Sequence, residues 1–159
     1  MNAGREPGSG GQPHSRGRLL AVDLGDRRIG LAISDPTGTI ASPAGFLERR
    51  AGKRPPLTAL LLKAAELGAT GFVVGLPLDA AGGETPRTTE ARRLALELST
   101  RTGLPAQLVD ERFTTAAALQ AIKEMEGSTR GRKGDVDAMA ATLLLQHALR
   151  MAEHEERSG

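Results

Sequence analysis

Cysteine is absent from this 159-residue sequence, which excludes a disulfide framework and any metal site built on thiolates. A bound metal would therefore need aspartate, glutamate or histidine ligands. Tryptophan and tyrosine are absent too, and the aromatic residues are only Phe46, Phe72 and Phe113. Because single strands of nucleic acid are commonly held by stacking bases on aromatic rings, a nucleic-acid partner would have to be recognised through its backbone and shape.

Long apolar segments are also missing. No run approaches the roughly 20 apolar residues of a membrane span, and the N-terminus lacks the apolar core of a signal peptide. We therefore expect a cytoplasmic protein with no membrane partner. The Gly-, Pro- and Ser-rich residues 1–17 are expected to form a disordered tail, residues 18–152 one domain, and residues 153–159 a frayed end.

The charge balance gives only a weak indication of the partner. The net charge is +2, and 17 of the 21 basic residues are arginine. Arginine favours bidentate contacts with phosphate or carboxylate groups, but a high-GC genome explains the same composition equally well. Both explanations stay open at this point.

Hydrophobic patterning and turn residues predict five strands and four helices. The predicted strands are Leu19–Leu24, 29–34, 40–47, 71–76 and 105–111, and the predicted helices are 57–67, 88–102, 114–125 and 135–152. Pro43 makes the third strand an edge strand. The order predicts an α/β fold, in which a mixed five-stranded sheet with three antiparallel strands first and parallel strands after them is flanked by helices.

Three carboxylates fall where such a fold collects its functional groups. Asp23 ends the first strand and Glu111 ends the last, and ligands gather at the carboxyl ends of strands in open α/β sheets. If those strands are neighbours, the two side chains face each other, whereas Asp110 points the opposite way because strand side chains alternate. Asp137 lies in the first turn of the last helix, at the edge of its sheet-facing side. Taken singly, Asp23 also fits a turn and Asp137 a helix dipole.

Three carboxylates in one site repel each other unless cations hold them. Oxygen ligands suit Mg²⁺ or Mn²⁺, and two such ions about 4 Å apart can activate water and stabilise the leaving oxygen in phosphodiester cleavage. The hypothesis is therefore that Asp23, Glu111 and Asp137 are both metal ligands and catalytic residues, with two ions as cofactors.

Basic loops are expected near the same sheet edge. We expect Arg87, and with it Arg130, Arg132 and Lys133 in a glycine-rich loop, to hold a nucleic-acid backbone in a salt-dependent manner. An ordinary solvated surface is the alternative, and for the basic cluster in residues 49–54 it is the favoured interpretation.

Four segments in this order resemble the YqgF family of Holliday junction resolvase-like proteins and pre-16S rRNA nucleases. They are "AVDLGDRRIGLAISD", "VVGLPL", "VDERFTTAAA" and "KGDVDAMAATLLL", and the resemblance spans residues 18–150. It implies an RNase H-like fold, with Asp23, Glu111 and Asp137 at the acidic metal-binding positions. It also implies that Arg28 contacts phosphate or orients a carboxylate. The loop "DAAGGETPR" departs from the family pattern.

The resemblance implies a divalent-metal nuclease that matures the 5′ end of pre-16S rRNA in ribosome biogenesis. Two alternatives stay open, a resolvase acting on four-way DNA and a non-catalytic RNA-binding module of ribosome assembly. A phosphotransferase of the actin and sugar-kinase type is opposed by the chain length and by "DRR" after "DLG". A resolvase should be a symmetric dimer, but the apolar helix faces are needed for the core, so we expect a monomer or a weak homodimer.

Overall fold

The computed structural model describes residues 17–50, 52–113 and 133–158, and within them five strands form one sheet. The strands are β1 (Leu19–Leu24), β2 (Arg28–Ser34), β3 (Ala41–Glu48), β4 (Gly71–Leu76) and β5 (Ala106–Asp110). Their order in the sheet is β3-β2-β1-β4-β5. The first three are antiparallel, and β4 and β5 run parallel to β1. The predicted mixed sheet is confirmed, with β3 at one edge.

The helices in the described ranges are α1 (Leu57–Leu67), α2 (Pro86–Thr102) and α3 (Lys133–Ser158). Helix α1 ends where the sequence predicts, because Gly68 adopts a left-handed conformation at φ 71°. Helix α2 begins two residues before the predicted start. Thr85 caps it, since the Thr88 N–H donates to the Thr85 hydroxyl and the Thr85 N–H donates to the Thr88 hydroxyl.

Helix α3 is longer than predicted at both ends. It starts at Lys133 and continues through residues 153–158, the segment that we expected to be frayed. Residues 135–158 contain neither glycine nor proline, so the sequence has no helix-ending residue there. None of the helices in the described ranges is long and apolar enough to cross a membrane. Residues 1–16, the predicted helix 114–125 with its caps Thr114 or Thr115, and residues 126–132 of the basic loop lie outside the described residues.

The sheet is covered by helices on both faces, which explains why its central strands are almost continuously apolar. One face packs against α1 and α2 through alternate strand residues such as Leu20, Val22 and Val74. The other face packs against α3 through the residues in between, such as Ala21 and Val73. Because side chains alternate along a strand, the next residues on the α3 side of β1 and β4 are Asp23 and Gly75.

Candidate active site

On the α3 side of the sheet, one row of residues carries the candidate site. Asp23 on β1 pairs with Gly30 on β2, and the parallel register of β1 and β4 brings Gly75 level with Asp23 on its other side. Glu111 follows directly after β5, in a single 3₁₀ turn at Glu111–Phe113. The carboxylate of Asp23 therefore has a glycine as its neighbour on each adjoining strand.

The strands that carry Asp23 and Glu111 are not neighbours, because β4 lies between them. The two side chains nevertheless meet, and a hydrogen bond joins their carboxyl groups. Glu111 reaches Asp23 by passing over Gly75. A Cβ atom on Gly75 would lie 3.0 Å from the Glu111 Cδ and 3.1 Å from its Cγ, and closer still to its Oε2. The missing side chain of Gly75 is thus the space that the Glu111 side chain occupies.

The meeting of these two carboxyl groups perturbs both of them. Burial raises the pKa of Asp23 well above its usual value, and the charge of Glu111, its hydrogen bond and the charge of Asp137 raise it further. Burial also raises the pKa of Glu111, against the opposing effects of the Asp23 hydrogen bond and the Arg87 charge. Two carboxylates in contact cannot both ionise readily, so the pair needs either a shared proton or a cation.

Asp137 approaches the same row from helix α3. Its Oδ2 accepts a hydrogen bond of 2.6 Å from Arg28 Nε at the start of β2, and both side chains are about 30% exposed. The helix comes this close because Gly30 has no side chain. A Cβ atom on Gly30 would lie 3.2 Å from the Asp137 Cβ and much closer to the Asp137 carbonyl oxygen. In this structure Arg28 therefore forms an ion pair with a carboxylate at the edge of the sheet.

Arg87 ties the first turn of α2 to the carboxyl end of β1. Its Nη1 donates to the Leu24 carbonyl oxygen at 3.1 Å, its Nη2 forms an ion pair with Asp26, and its Nε lies 3.6 Å from Glu90 Oε1. The guanidinium charge also favours the ionised forms of the two carboxyl groups at the site. Arg87 therefore borders the site with its charge partly neutralised.

Asp110 has a different role from that of Glu111, its neighbour in the chain. Its carboxylate accepts hydrogen bonds from Arg112, which lower the pKa of Asp110. Arg112 also donates to the Ala80 carbonyl oxygen at 3.3 Å, in the loop after β4. The Asp110–Arg112 pair thus fastens this loop to the end of β5. Arg130 and Arg132 lie outside the described residues, and Lys133 is described only as the first residue of α3.

In the part of the chain that the structure describes, no group of three His, Asp or Glu side chains is placed to hold a metal ion. Asp23 and Glu111 face each other, whereas Asp137 gives one oxygen to Arg28. The donor set is nevertheless chemically uniform. It offers carboxylate oxygens only, which are the ligands of hard divalent cations.

The sequence analysis missed Gly75 as part of the site. The available signal was an isolated glycine inside the otherwise apolar strand "GFVVGL". A glycine inside a strand often marks a position where a ligand or another part of the chain approaches closely. At Gly75 the approaching group is the side chain of Glu111.

The chain is similar in sequence to known proteins over most of its length. A family model described as "RuvX: Holliday junction resolvase" matches residues 17–151. Curated relatives with the name "Putative pre-16S rRNA nuclease" include one from Clavibacter sepedonicus, 42% identical over 133 residues that cover 84% of this chain and 83% of the relative. Another, from Bradyrhizobium sp. (strain ORS 278), is 39% identical over 144 residues that cover 91% and 89%.

One solved structure, "T. thermophilus RuvC in complex with Holliday junction substrate", superposes with a TM-score of 0.55 at 14% identity, covering 87% of this chain and 96% of that chain. A second, "Thermus thermophilus RuvC structure", gives a TM-score of 0.52 at 12% identity over 84% and 96%. At these identities the likeness concerns the fold, and it confirms the RNase H-like sheet that the sequence resemblance implied.

Proposed function

This chain belongs to the RuvX family, and we propose that it is a nuclease that hydrolyses phosphodiester bonds in the 5′-end maturation of pre-16S rRNA. Curated relatives at about 40% identity over more than four fifths of the chain carry the name "Putative pre-16S rRNA nuclease". The observation that carries the proposal is the contact between Asp23 and Glu111 on the α3 side of the sheet. Two carboxyl groups in contact make no evident contribution to the fold, and they need a cation between them and their surroundings when both are ionised.

Asp23 and Glu111 fit a divalent metal ion, because they are half-buried and hydrogen-bonded to each other, burial raises the pKa of both, and the contact with Glu111 raises the pKa of Asp23 further. We propose that they would hold Mg²⁺ or Mn²⁺, with Asp137 as a further ligand. Such an ion, or the pair of ions expected from the sequence, would activate a water molecule and stabilise the leaving oxygen. The chain's own contribution is the contact between the Asp23 and Glu111 carboxyl groups, and Asp137, now bonded to Arg28, would have to turn to join them.

The surrounding residues position this set. Arg28 orients the Asp137 carboxylate through a single short hydrogen bond, and Gly30 and Gly75 make room for Asp137 and Glu111 respectively. We propose that Arg87 faces the phosphates of the bound RNA. Arg130, Arg132 and Lys133 remain candidates for the same role. The substrate implies a cytoplasmic enzyme, and we propose that it acts as a monomer or a weak homodimer.

The proposal is tested by comparing the wild type with Asp23→Asn on a pre-16S rRNA fragment and on a four-way DNA junction, in Mg²⁺, in Mn²⁺ and in EDTA. We expect metal-dependent cleavage of the RNA by the wild type and none by Asp23→Asn. Paired cuts in the DNA junction alone would assign the chain to DNA recombination instead. Binding of the RNA without cleavage under any condition would leave a non-catalytic assembly module.

A further inference from the structure

Beside the candidate site lie two adjoining surface depressions with a strong excess of positive charge. They extend between the β1–β2 turn, the connector after β3 and the start of α2, and both are lined by Arg49. Of the residues that the structure describes, seven basic and three acidic ones line the two depressions together, a net charge of +4. Positive charge is therefore concentrated at this surface.

Four of these cations are available to a partner. Arg28, Arg49 and Arg87 already pair with carboxylates. The other four are exposed and have no ion pair within residues 17–50, 52–113 and 133–158. We call these four the basic shelf, and they are Arg27, Arg50, Lys53 and Arg54.

The connector that carries most of the basic shelf is anchored to helix α2. The Arg49 side chain is only 5% exposed. Its Nη2 donates to the Lys53 carbonyl oxygen at 2.6 Å, and its two Nη atoms donate to Glu90 at 2.7 Å and 3.1 Å. The Lys53 N–H in turn donates to the Arg50 carbonyl oxygen, across a turn in which Gly52 has φ 76°. Hydrogen bonds therefore fix the backbone carbonyl groups of Arg50 and Lys53, which lowers the entropy lost when their side chains bind a partner.

The two depressions that contain the shelf also reach the carboxylate site. Arg28 lines one depression and binds Asp137, and Arg87 lines the other and binds the Leu24 carbonyl oxygen at the end of β1. Among the residues that the structure describes, no aromatic residue lines either depression. A partner bound here would thus be held by its charge and shape and not by base stacking.

We infer that the basic shelf binds the phosphate backbone of a double-helical segment of the RNA substrate, next to the bond that is cut. This inference rests on the proposed function for the identity of the nucleic acid, and it deepens that proposal by locating where the helical flank lies. It replaces the solvated surface that the sequence favoured for residues 49–54. The reason is that a merely solvated cluster requires neither the anchor through Arg49 nor the contact with the catalytic edge.

The test is a binding measurement that needs no cleavage. A labelled hairpin from the 5′ region of pre-16S rRNA is titrated with protein in EDTA at several KCl concentrations, and binding is followed by fluorescence anisotropy. The double variant Arg50→Ser/Lys53→Ser removes two shelf cations. The matched control is Arg101→Ser/Arg150→Ser, which removes two exposed arginines that have no ion pair in the described residues and are not on the shelf.

Each phosphate contact contributes about 0.9 to the slope of log affinity against log salt, so the shelf variant should reduce that slope by about 2. When the salt concentration is lowered from 1 M to 0.1 M, the affinity of the wild type should therefore rise about 60-fold more than that of the shelf variant. The control variant should bind the hairpin within about twofold of the wild type, because a cation strengthens binding only where it contacts the RNA backbone. Both variants should melt like the wild type, since neither removes a side-chain contact in the described residues.

Equal affinities and equal salt slopes for the two variants would overturn the inference. So would a loss that affects single-stranded RNA but not the hairpin, or one that appears only on a DNA junction. If the wild type cleaves RNA and the shelf variant binds the hairpin normally, the inference about the shelf is wrong and the proposed function stands. If the wild type does not cleave RNA but the shelf variant binds the hairpin weakly, the proposed function is wrong and the shelf is still an RNA-binding surface.

Discussion

Replacing Gly75 by alanine should damage catalysis far more than folding. The added Cβ would lie 3.0 Å from the Glu111 Cδ and nearer to its Oε2, whereas carbon and oxygen atoms in ordinary contact are about 3.4 Å apart or more. The Glu111 carboxylate must therefore retreat by about 1 Å. A displacement of about 1 Å at a reacting centre can lower the rate about 100-fold, equivalent to about 2.7 kcal/mol of transition-state stabilisation.

The assay is single-turnover cleavage of a pre-16S rRNA fragment in Mg²⁺, with unfolding by urea measured in parallel. Gly71→Ala is the matched control, because Gly71 is a buried glycine on the same strand whose added Cβ would meet the flexible end of Leu19 at 2.9 Å. We expect this control to lose stability but keep its cleavage rate. In a Glu111→Ala background, Gly75→Ala should have almost no further effect on the rate, because the side chain that it displaces is gone.

An unchanged cleavage rate for Gly75→Ala would refute this reasoning. An equal loss of rate for Gly71→Ala would also refute it, since the effect would then arise from the sheet and not from the position of Glu111.

Three further predictions concern residues around the site and in a turn. Gly30→Ala should lower the free energy of unfolding by about 1–3 kcal/mol, because its Cβ would meet the backbone of Asp137, and a denaturation midpoint equal to that of the wild type would contradict this. Arg28→Ala should reduce the cleavage rate about 10–100-fold in kinetic assays, because Arg28 orients the Asp137 carboxylate. It should lower the free energy of unfolding in urea by no more than about 1 kcal/mol, because the ion pair is partly exposed. Hydrogen bonds to the Asp35 carboxylate, above all the one from the Ile40 backbone N–H, lower the pKa of Asp35. The ionised carboxylate therefore stabilises the folded state above pH about 4, and this stabilisation is lost as the pH falls. The difference in urea midpoint between the wild type and Asp35→Asn should therefore shrink from pH 7 towards pH 2, and a difference that does not change with pH would contradict the assignment.

Local features of this fold were predictable from the sequence, because they depend on residues close together in the chain. The bounds of β1 follow from its apolar run, and the end of α1 follows from Gly68, whose conformation suits a glycine. The start of α2 was missed, although Thr85 and Thr88 have the spacing of a capping box. The N3 residue of that box, Thr88, is a threonine and not the usual glutamate or glutamine.

The candidate residues of the site could be proposed from the sequence, but their geometry could not. The positions of Asp23 and Glu111 at strand ends follow from strand alternation and the order of the elements. The position of β4 between β1 and β5 depends on long-range pairing, which no local pattern encodes. The passage of Glu111 over Gly75 and the pairing of Arg49 with Glu90 depend on that arrangement, so they emerge only from the structure.

The central claim is that the carboxyl pair of Asp23 and Glu111 is the catalytic centre of an RNA nuclease. The most direct measurement compares Glu111→Gln with Asp110→Asn in single-turnover cleavage of pre-16S rRNA in Mg²⁺, with folding checked by urea unfolding. Asp110 is the matched control, because it is the adjacent carboxylate and pairs with Arg112. The account predicts that Glu111→Gln loses more than the roughly 100-fold typical of residues that only support a metal ligand, while Asp110→Asn cleaves within about tenfold of the wild type. Equal activity of the two variants, or a greater loss in Asp110→Asn, would contradict it.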